Sequence, residues 1–481
     1  MDRPNGLHPC FVRPVRPAPD ALGRWLGWQV YRLALGVLFE GRDPDAIIAE
    51  DLSGIRFFDR SQPETLLEDP TVPVAWDDVV YEVDEQRGAV TLRAPDGTAR
   101  TAVAYGRYGC VGLPQDETAP RVAPEPVPPR RGASTRAEQP WPLGCAIDRR
   151  ALLPDVDLAP VEAALAAVVG DGKGRAALVA HRGRLIAEAY APGFDRDSRH
   201  SGWSMSKSLV GAFVGRTIQE GWIGLDDLAP VPLWDRYGDP RGAITVDHLL
   251  RMSSGLDCPI GMTPWAEGEH YHPFTGLPDV YAWATELELR AAPGTRCAYQ
   301  QCDPLIAAKV ATDLAERAGV RRVDAPWSLL FDPLGMDSVM LSADTTGNFI
   351  MSGYSLATAQ DWARFGQLLL DDGVWQGERL LPRGWLDYAT TPAPADDEPV
   401  YGGAFMHLGD RFTFISGEQG RVPAGTSLAA GHYGQFTFAI PSHELVIVRM
   451  GHDPADAPML DLVEAAAAAV GPSPARAEGA P

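Results

Sequence analysis

The chain has 481 residues, long enough for two or three domains, and its 45% hydrophobic and 22% charged residues exclude wholesale disorder. A formal charge of −22 repels polyphosphate and anionic headgroups, which excludes nucleic acid as the main partner. Six cysteines (Cys10, Cys110, Cys145, Cys258, Cys297 and Cys302) without a C-x-x-C pair exclude a disulfide scaffold and read as small buried apolar residues. Residues 1–16 mix prolines with charges and lack an apolar h-region, so no secretory signal is expected and a cytoplasmic location is favoured over export. An apolar helix is predicted over 22–39, with Asp20 placed to cap it. Arg24, Gln29 and Arg32 make a bilayer span costly, so a packed or interfacial amphipathic helix is expected and membrane association is not favoured. A second short helix falls at 43–52.

The period then changes. Residues 79–84, 89–93 and 99–105 read as three short strands joined by turns at 86–88 and 95–97, which makes residues 1–112 an N-terminal accessory α+β module. Residues 113–145 are rich in Pro, Arg, Glu and Ala and read as a linker or wrapping arm. Residues 146–471 form a second domain. It starts with a helix at 158–169 and two strands, 176–180 and 185–190, around the turn at Arg182-Gly183. A helix over 207–220 carries the apolar stripe Leu209, Val210, Phe213, Val214 and Ile218 and stops at Gly221. Helices at 246–252 and 307–318 follow, then a hairpin of 436–440 with 445–450, and a terminal helix at 459–470. Strands at both ends of this domain predict one sheet assembled from both ends around a helical insertion, with a flexible tail at 472–481.

The chemistry concentrates at Ser204-x-x-Lys207. At the start of a helix a spacing of three puts hydroxyl and amine on one face, a nucleophile beside its base. The helix N-terminus adds free N–H groups and the positive end of the dipole, which favour a developing oxyanion. Serines also begin helices as simple caps, but lysine occurs only at 173, 207 and 309, so the pairing is scarce in this chain. Ser206 and Ser208 have no lysine three residues on, and no G-x-S-x-G elbow occurs. A rival reading is a metallohydrolase on His270 and His272, which alternate around Tyr271, with Glu267 and Glu269 nearby. No second cluster at ligand spacing supports it, and no metal or organic cofactor is expected.

The Ser204-x-x-Lys207 pair resembles the first motif of the penicillin-recognising serine hydrolases: β-lactamases, DD-peptidases, related esterases and 6-aminohexanoate-dimer hydrolases. Residues 244–256, I-T-V-D-H-L-L-R-M-S-S-G-L, are similar to a stretch common in class C-like members. P-G-T-R-C-A-Y-Q-Q at 293–301 resembles their P-G-x-x-x-x-Y-x-N segment. G-H-Y-G-Q at 431–435 sits where they carry K-T-G or H-x-G, and D-W-A-R-F-G at 361–366 resembles a shared helix start. The resemblance implies a class C β-lactamase or penicillin-binding-protein-like α/β (α+β) fold, an antiparallel sheet flanked by helices plus a helical subdomain. It also implies export as the usual destination.

For the site, the resemblance implies Ser204 as nucleophile, with Lys207 and Tyr299 as proton carriers that titrate as a unit, leaving the resting base open. It places the oxyanion between the N–H groups of Ser204 and Gln435, with His432, Gly434 and Gln301 as substrate-binding positions. Trp265, His270, Tyr271, His272 and Phe274 would line a loop over the site. Two positions depart from the pattern. Gln301 stands for the usual asparagine, and His432 for the lysine that holds a penicillin carboxylate, so a small ester or amide is expected as substrate rather than a β-lactam. The alternatives are a sensor that acylates without turnover and a β-lactamase or D-peptidase.

Overall fold

The computed structural model describes residues 20–52, 74–127, 138–149, 156–170, 173–258, 272–395, 400–412, 420–452 and 457–473. The chain divides into two compact units, each built from separated segments: Met1–Pro128 with Leu228–Val310 and Met340–Ser352, and Pro129–Asp227 with Ala311–Val339 and Gly353–Pro481. Residues 1–112 therefore share a unit with later segments of the chain. Most of the C-terminal tail, 474–481, lies outside the described residues, as do residues 128–137 of the proline-rich stretch.

In the first unit the helix Ala21–Leu38 packs on an antiparallel meander of Val80–Asp84, Ala89–Arg93, Ala99–Ala104 and Cys110–Gly112. Period-2 alternation drives the sheet: Val90, Leu92 and Ala102 are buried, while Thr91 and Thr101 pair across it with hydroxyl oxygens 2.9 Å apart. The helix buries Trp25, Leu26, Trp28, Val30, Tyr31 and Leu33. Two of its polar side chains are matched inside the protein: Arg32 lies 4.6 Å over the Trp28 ring and donates to the Asp51 carbonyl, and Tyr31 Oη donates to the Cys110 carbonyl at 2.8 Å. No described helix is long and apolar enough to cross a membrane. Asp20 does not cap this helix with its side chain, as the sequence suggested. Its carboxylate accepts from Arg100 Nη2 at 3.3 Å, because a guanidinium that is 7% exposed needs a counter-charge more than a helix end needs a cap.

The second unit is built on a six-stranded antiparallel sheet. Its order is His407–Leu408, Ser427–Gly431, Gln435–Ile440, Leu445–Gly451, Gly174–His181, Arg184–Tyr190. The C-terminal strand Leu445–Gly451 pairs with Gly174–His181, Val446 opposite Ala180 and Ile447 opposite Val179, so the sheet is assembled from both ends of the domain as the sequence predicted. Alternate residues separate its faces. Val179, Leu428, Phe436, Phe438 and Ile447 form a core with Val161 and Leu165 of the helix Ala159–Gly170 and with Leu460 and Val463 of the helix Ala457–Val470. On the opposite face Thr437 and Val446 meet the helix Ala359–Leu370 at Gly366, and Thr437 Oγ1 lies 3.6 Å from Met205 Sδ of the helix Met205–Gln219. This helix–sheet–helix layering seats the serine helix against the middle of the sheet.

Candidate active site

The Ser204 turn is set by its approach. Strand His200–Ser201 pairs with Leu356–Ala357, and the Gly202 N–H donates to the Ser355 carbonyl at 2.8 Å. Trp203 then enters the left-handed region at φ 47°, and the helix begins at Met205. Tyr354 at φ 57° and Tyr433 at φ 60° share that backbone conformation, and both rings lie against Trp203, with centroids 5.5 and 5.3 Å away. Each such non-glycine residue costs on the order of 1–3 kcal/mol, and three in contact show how strongly the surrounding packing dictates this corner.

Ser204 occupies the N-cap position, yet its hydroxyl makes no capping bond. Lys207 Nζ, one turn on and buried, donates to Ser204 Oγ at 3.2 Å. The neighbouring serines hold the turn in place. Ser206 Oγ and Ser355 Oγ are 2.5 Å apart, and Ser208 Oγ donates to the Phe405 carbonyl at 3.2 Å.

The G-H-Y-G-Q stretch is a hairpin turn between Ser427–Gly431 and Gln435–Ile440. Gly431 abuts the Ser204 approach so closely that a Cβ there would fall 2.3 Å from the Gly202 carbonyl oxygen. The His432 ring is edge-on to Trp203 at 5.5 Å and to Tyr433 at 4.0 Å. The Gln435 side chain stitches the turn: Nε2 donates to the carbonyls of His432, Tyr433 and Gly451 at 3.1, 3.0 and 2.6 Å, and Oε1 accepts from the Gly451 N–H at 2.9 Å. Arg449, fully buried in the adjacent strand, donates from Nη1 to the Gly434 carbonyl at 2.6 Å.

Ser204, Lys207, His432, Gly434 and Gln435 thus lie in the second unit, and Tyr299, Gln301 and His272 in the first. Tyr299 is half-buried in a segment without regular structure, bounded by the Ala298 N–H donating to the Met252 carbonyl at 2.9 Å and by buried Gln300 and Gln301. His272 opens a short 3-10 turn, its ring 5.8 Å from Trp283, and the buried Phe274 closes that turn. Trp265, His270 and Tyr271 lie outside the described residues, and among the described residues no group of His, Cys, Asp or Glu is arranged to hold a metal ion.

Sequence reasoning missed the supporting residues. Arg449 had a visible signal, a charge inside the apolar run L-V-I-V-R-M, whereas Ser355 and the Gln435 amide had none. The I-T-V-D-H stretch also gains a physical reading: Thr245 Oγ1 accepts from the His248 N–H at 3.2 Å, and His248 Nδ1 accepts from the Thr245 N–H at 3.1 Å, a reciprocal helix cap.

The serine–lysine turn thus sits on a buried helix packed against an antiparallel sheet between helical layers, a mixed α/β build. The chain belongs to the Beta-lactamase family, whose profile it matches over residues 161–470. It is 30% identical over 223 residues to the 6-aminohexanoate-dimer hydrolase of Paenarthrobacter ureafaciens, a match covering 44% of this chain and 55% of that protein, so the chain spans about half the length of this curated relative. Among solved structures it is similar to a putative 6-aminohexanoate-dimer hydrolase from Bacillus anthracis, with TM-score 0.51, 22% identity and coverage of 63% of this chain and 80% of that one. It is also similar to a family VIII carboxylesterase, with TM-score 0.51, 16% identity and coverage of 68% and 99%.

Proposed function

We propose that the protein hydrolyses a small ester or amide through an acyl-enzyme on Ser204. The observation that carries this reading is the Lys207 Nζ to Ser204 Oγ bond of 3.2 Å at a serine whose hydroxyl is not spent on capping. The unprotonated amine of Lys207 takes the Ser204 proton as Oγ attacks the carbonyl carbon. The tetrahedral oxyanion is held by the Ser204 N–H at the helix start and by the N–H of the 431–435 turn at Gln435, whose geometry the Gln435 side chain and Arg449 maintain. Tyr299 passes the proton to the departing alcohol or amine, and water then attacks the acyl-enzyme with the same groups acting in reverse.

His432 in place of a lysine leaves the turn without a fixed cation for a β-lactam carboxylate, which favours a substrate without one at that position. The relative from Paenarthrobacter is named a 6-aminohexanoate-dimer hydrolase, and an amide substrate suits the same groups here.

A fluorophosphonate probe tests the nucleophile. Wild type should label at Ser204 and Ser204→Ala should not; an unlabelled wild type, or equal labelling of both, overturns the assignment. A panel of p-nitrophenyl esters, aminohexanoate amides, D-amino-acid peptides and nitrocefin, followed beyond one equivalent of product, then ranks the substrate classes.

A further inference from the structure

Among the described residues, the most fully enclosed acid lies one helix start away from Tyr299. Asp303, in the first turn of the helix Cys302–Arg317, is completely buried, and its Oδ2 has no hydrogen-bond partner. Its Oδ1 accepts from Ser254 Oγ at 2.6 Å and from Cys302 Sγ at 3.6 Å. Ser254 Oγ in turn accepts from Gln300 Nε2 at 3.0 Å. Gln300 is the residue after Tyr299 and is 2% exposed. The serine pair Ser253-Ser254 reads from the sequence as turn and capping residues. In the fold Ser254 is fully buried, and the 252–255 stretch is a rail along which 290–298 is laced: Arg290 N to Gly255 O at 2.8 Å, Gly294 N to Ser253 O at 2.8 Å, and Ala298 N to Met252 O at 2.9 Å.

We propose that Asp303 is a positioning residue for Tyr299, acting through Ser254 and Gln300. This rests on the reading of Tyr299 as a proton carrier. A carboxylate only accepts, so it fixes the direction of the chain: Gln300 donates to Ser254, and Ser254 donates to Asp303. That pins the buried amide of Gln300 and with it the peptide from which the half-buried phenol extends. Protonated Asp303 can donate as well as accept, so Ser254 no longer faces an acceptor-only group and the direction is no longer enforced.

Burial pushes the Asp303 carboxyl up to about 6, against the opposing pull of its hydrogen bonds from Ser254 and Cys302. The titratable and charged groups facing this cluster are Cys302 on its own helix, Cys258, and Arg290 and Arg296, which line the cavity that Cys258 and Gln300 border. The Cys302 thiol is driven well above its ordinary range by burial and by Cys258, so it stays neutral where Asp303 ionises.

The test is kcat and KM against pH, on a short-chain p-nitrophenyl ester, for wild type, Asp303→Asn, Ser254→Ala, Tyr299→Phe and the Asp303→Asn/Tyr299→Phe double variant. Asp303→Asn should still label with fluorophosphonate. It should lower kcat about 10- to 100-fold, the scale of a misplaced catalytic group, with KM within about twofold. It should also remove the acidic limb of the wild-type kcat profile near pH 6 and cost nothing further in the double variant. Ser254→Ala cuts the link without touching the charge and should show the same loss of kcat, which keeps the test open if Asp303→Asn does not fold. A large loss in Tyr299→Phe with unchanged kcat in Asp303→Asn or in Ser254→Ala, or with a fully additive double variant, overturns the positioning role and leaves the reading of Tyr299 standing. Unchanged kcat in Tyr299→Phe overturns both.

Discussion

Lys207 Nζ lies 3.2 Å from Ser204 Oγ while the rest of the lysine is buried in the first turn of the helix Met205–Gln219. A surface lysine reaching a serine would exchange that contact readily for water; this one is 2% exposed, so burial favours the contact. Replacing it by methionine keeps the length and volume of the side chain and removes only the amine. General-base catalysis contributes typically about 10²- to 10⁴-fold, so Lys207→Met should lower kcat by that order. Its urea-unfolding free energy should stay within about 1.5 kcal/mol of wild type, as volume-conserving core swaps do. Normal turnover by the folded variant would remove Lys207 from the mechanism.

Gly431, at the start of the 431–435 turn, lies hard against the approach to the nucleophile turn. An added Cβ would lie 2.3 Å from the Gly202 carbonyl oxygen, a backbone atom that cannot rotate aside, and Gly202 itself has no room because a Cβ there would meet the Trp362 ring at 2.2 Å. Gly431→Ala should therefore force the hairpin away from Ser204, destabilise the fold by about 1–3 kcal/mol, and depress acylation of Ser204 by the fluorophosphonate probe more than it depresses stability. Denaturation curves and labelling rates measured on one preparation separate the two effects.

The Gln435 amide joins one residue to His432, Tyr433 and Gly451, all through backbone groups. Gln435→Leu fills the same space and removes the partner of the buried Tyr433 and Gly451 carbonyls and of the Gly451 N–H. Each buried polar group left unsatisfied costs roughly 1–3 kcal/mol, so a loss of at least that size in chemical denaturation is expected. Amide exchange at Gly451 should accelerate in step. A variant as stable as wild type would show that the turn holds without the stitch.

What was legible in the sequence follows the range over which each signal acts. The strands at 174–190 and 435–451 and the helix after Ser204 are written in local periodicity, and the structure places them within a residue or two. That strands from both ends of the domain share one sheet was legible as well, whereas the two strands at one side of it, His407–Leu408 and Ser427–Gly431, were not. The Ser204–Lys207 contact needs only one turn of helix. The Asp303–Ser254–Gln300 chain needs residues 46 and 49 apart to meet, and Arg449 reaches Gly434 only after two strands pair, so no spacing announces either. Asp20 shows the same limit from the other side: its local role as a cap gave way to a charge 80 residues distant.

The reciprocal cap at Thr245 and His248 makes the fold itself sensitive to pH. His248 Nδ1 must accept from the Thr245 N–H, which only the neutral ring does, and burial holds its pKa below the ordinary 6.5. As pH falls through about 6.5 the unfolded chain takes up a proton at this ring that the folded chain refuses, so stability declines with falling pH until the folded ring titrates as well. Above that point both states are neutral and the contribution is fully present. Asp303 acts in the opposite sense, since a carboxyl pushed up to about 6 binds its proton more readily in the folded state. The two are separated by comparing wild type with His248→Gln, which retains a side-chain acceptor and does not titrate. The difference in unfolding free energy between the two proteins should be flat from pH 7 to 8 and should shift in favour of His248→Gln as pH falls from about 6.5. A pH-independent difference would mean that the ring is protonated as readily in the folded chain as in the unfolded one, and that the capping bond to Thr245 does not depend on the neutral imidazole.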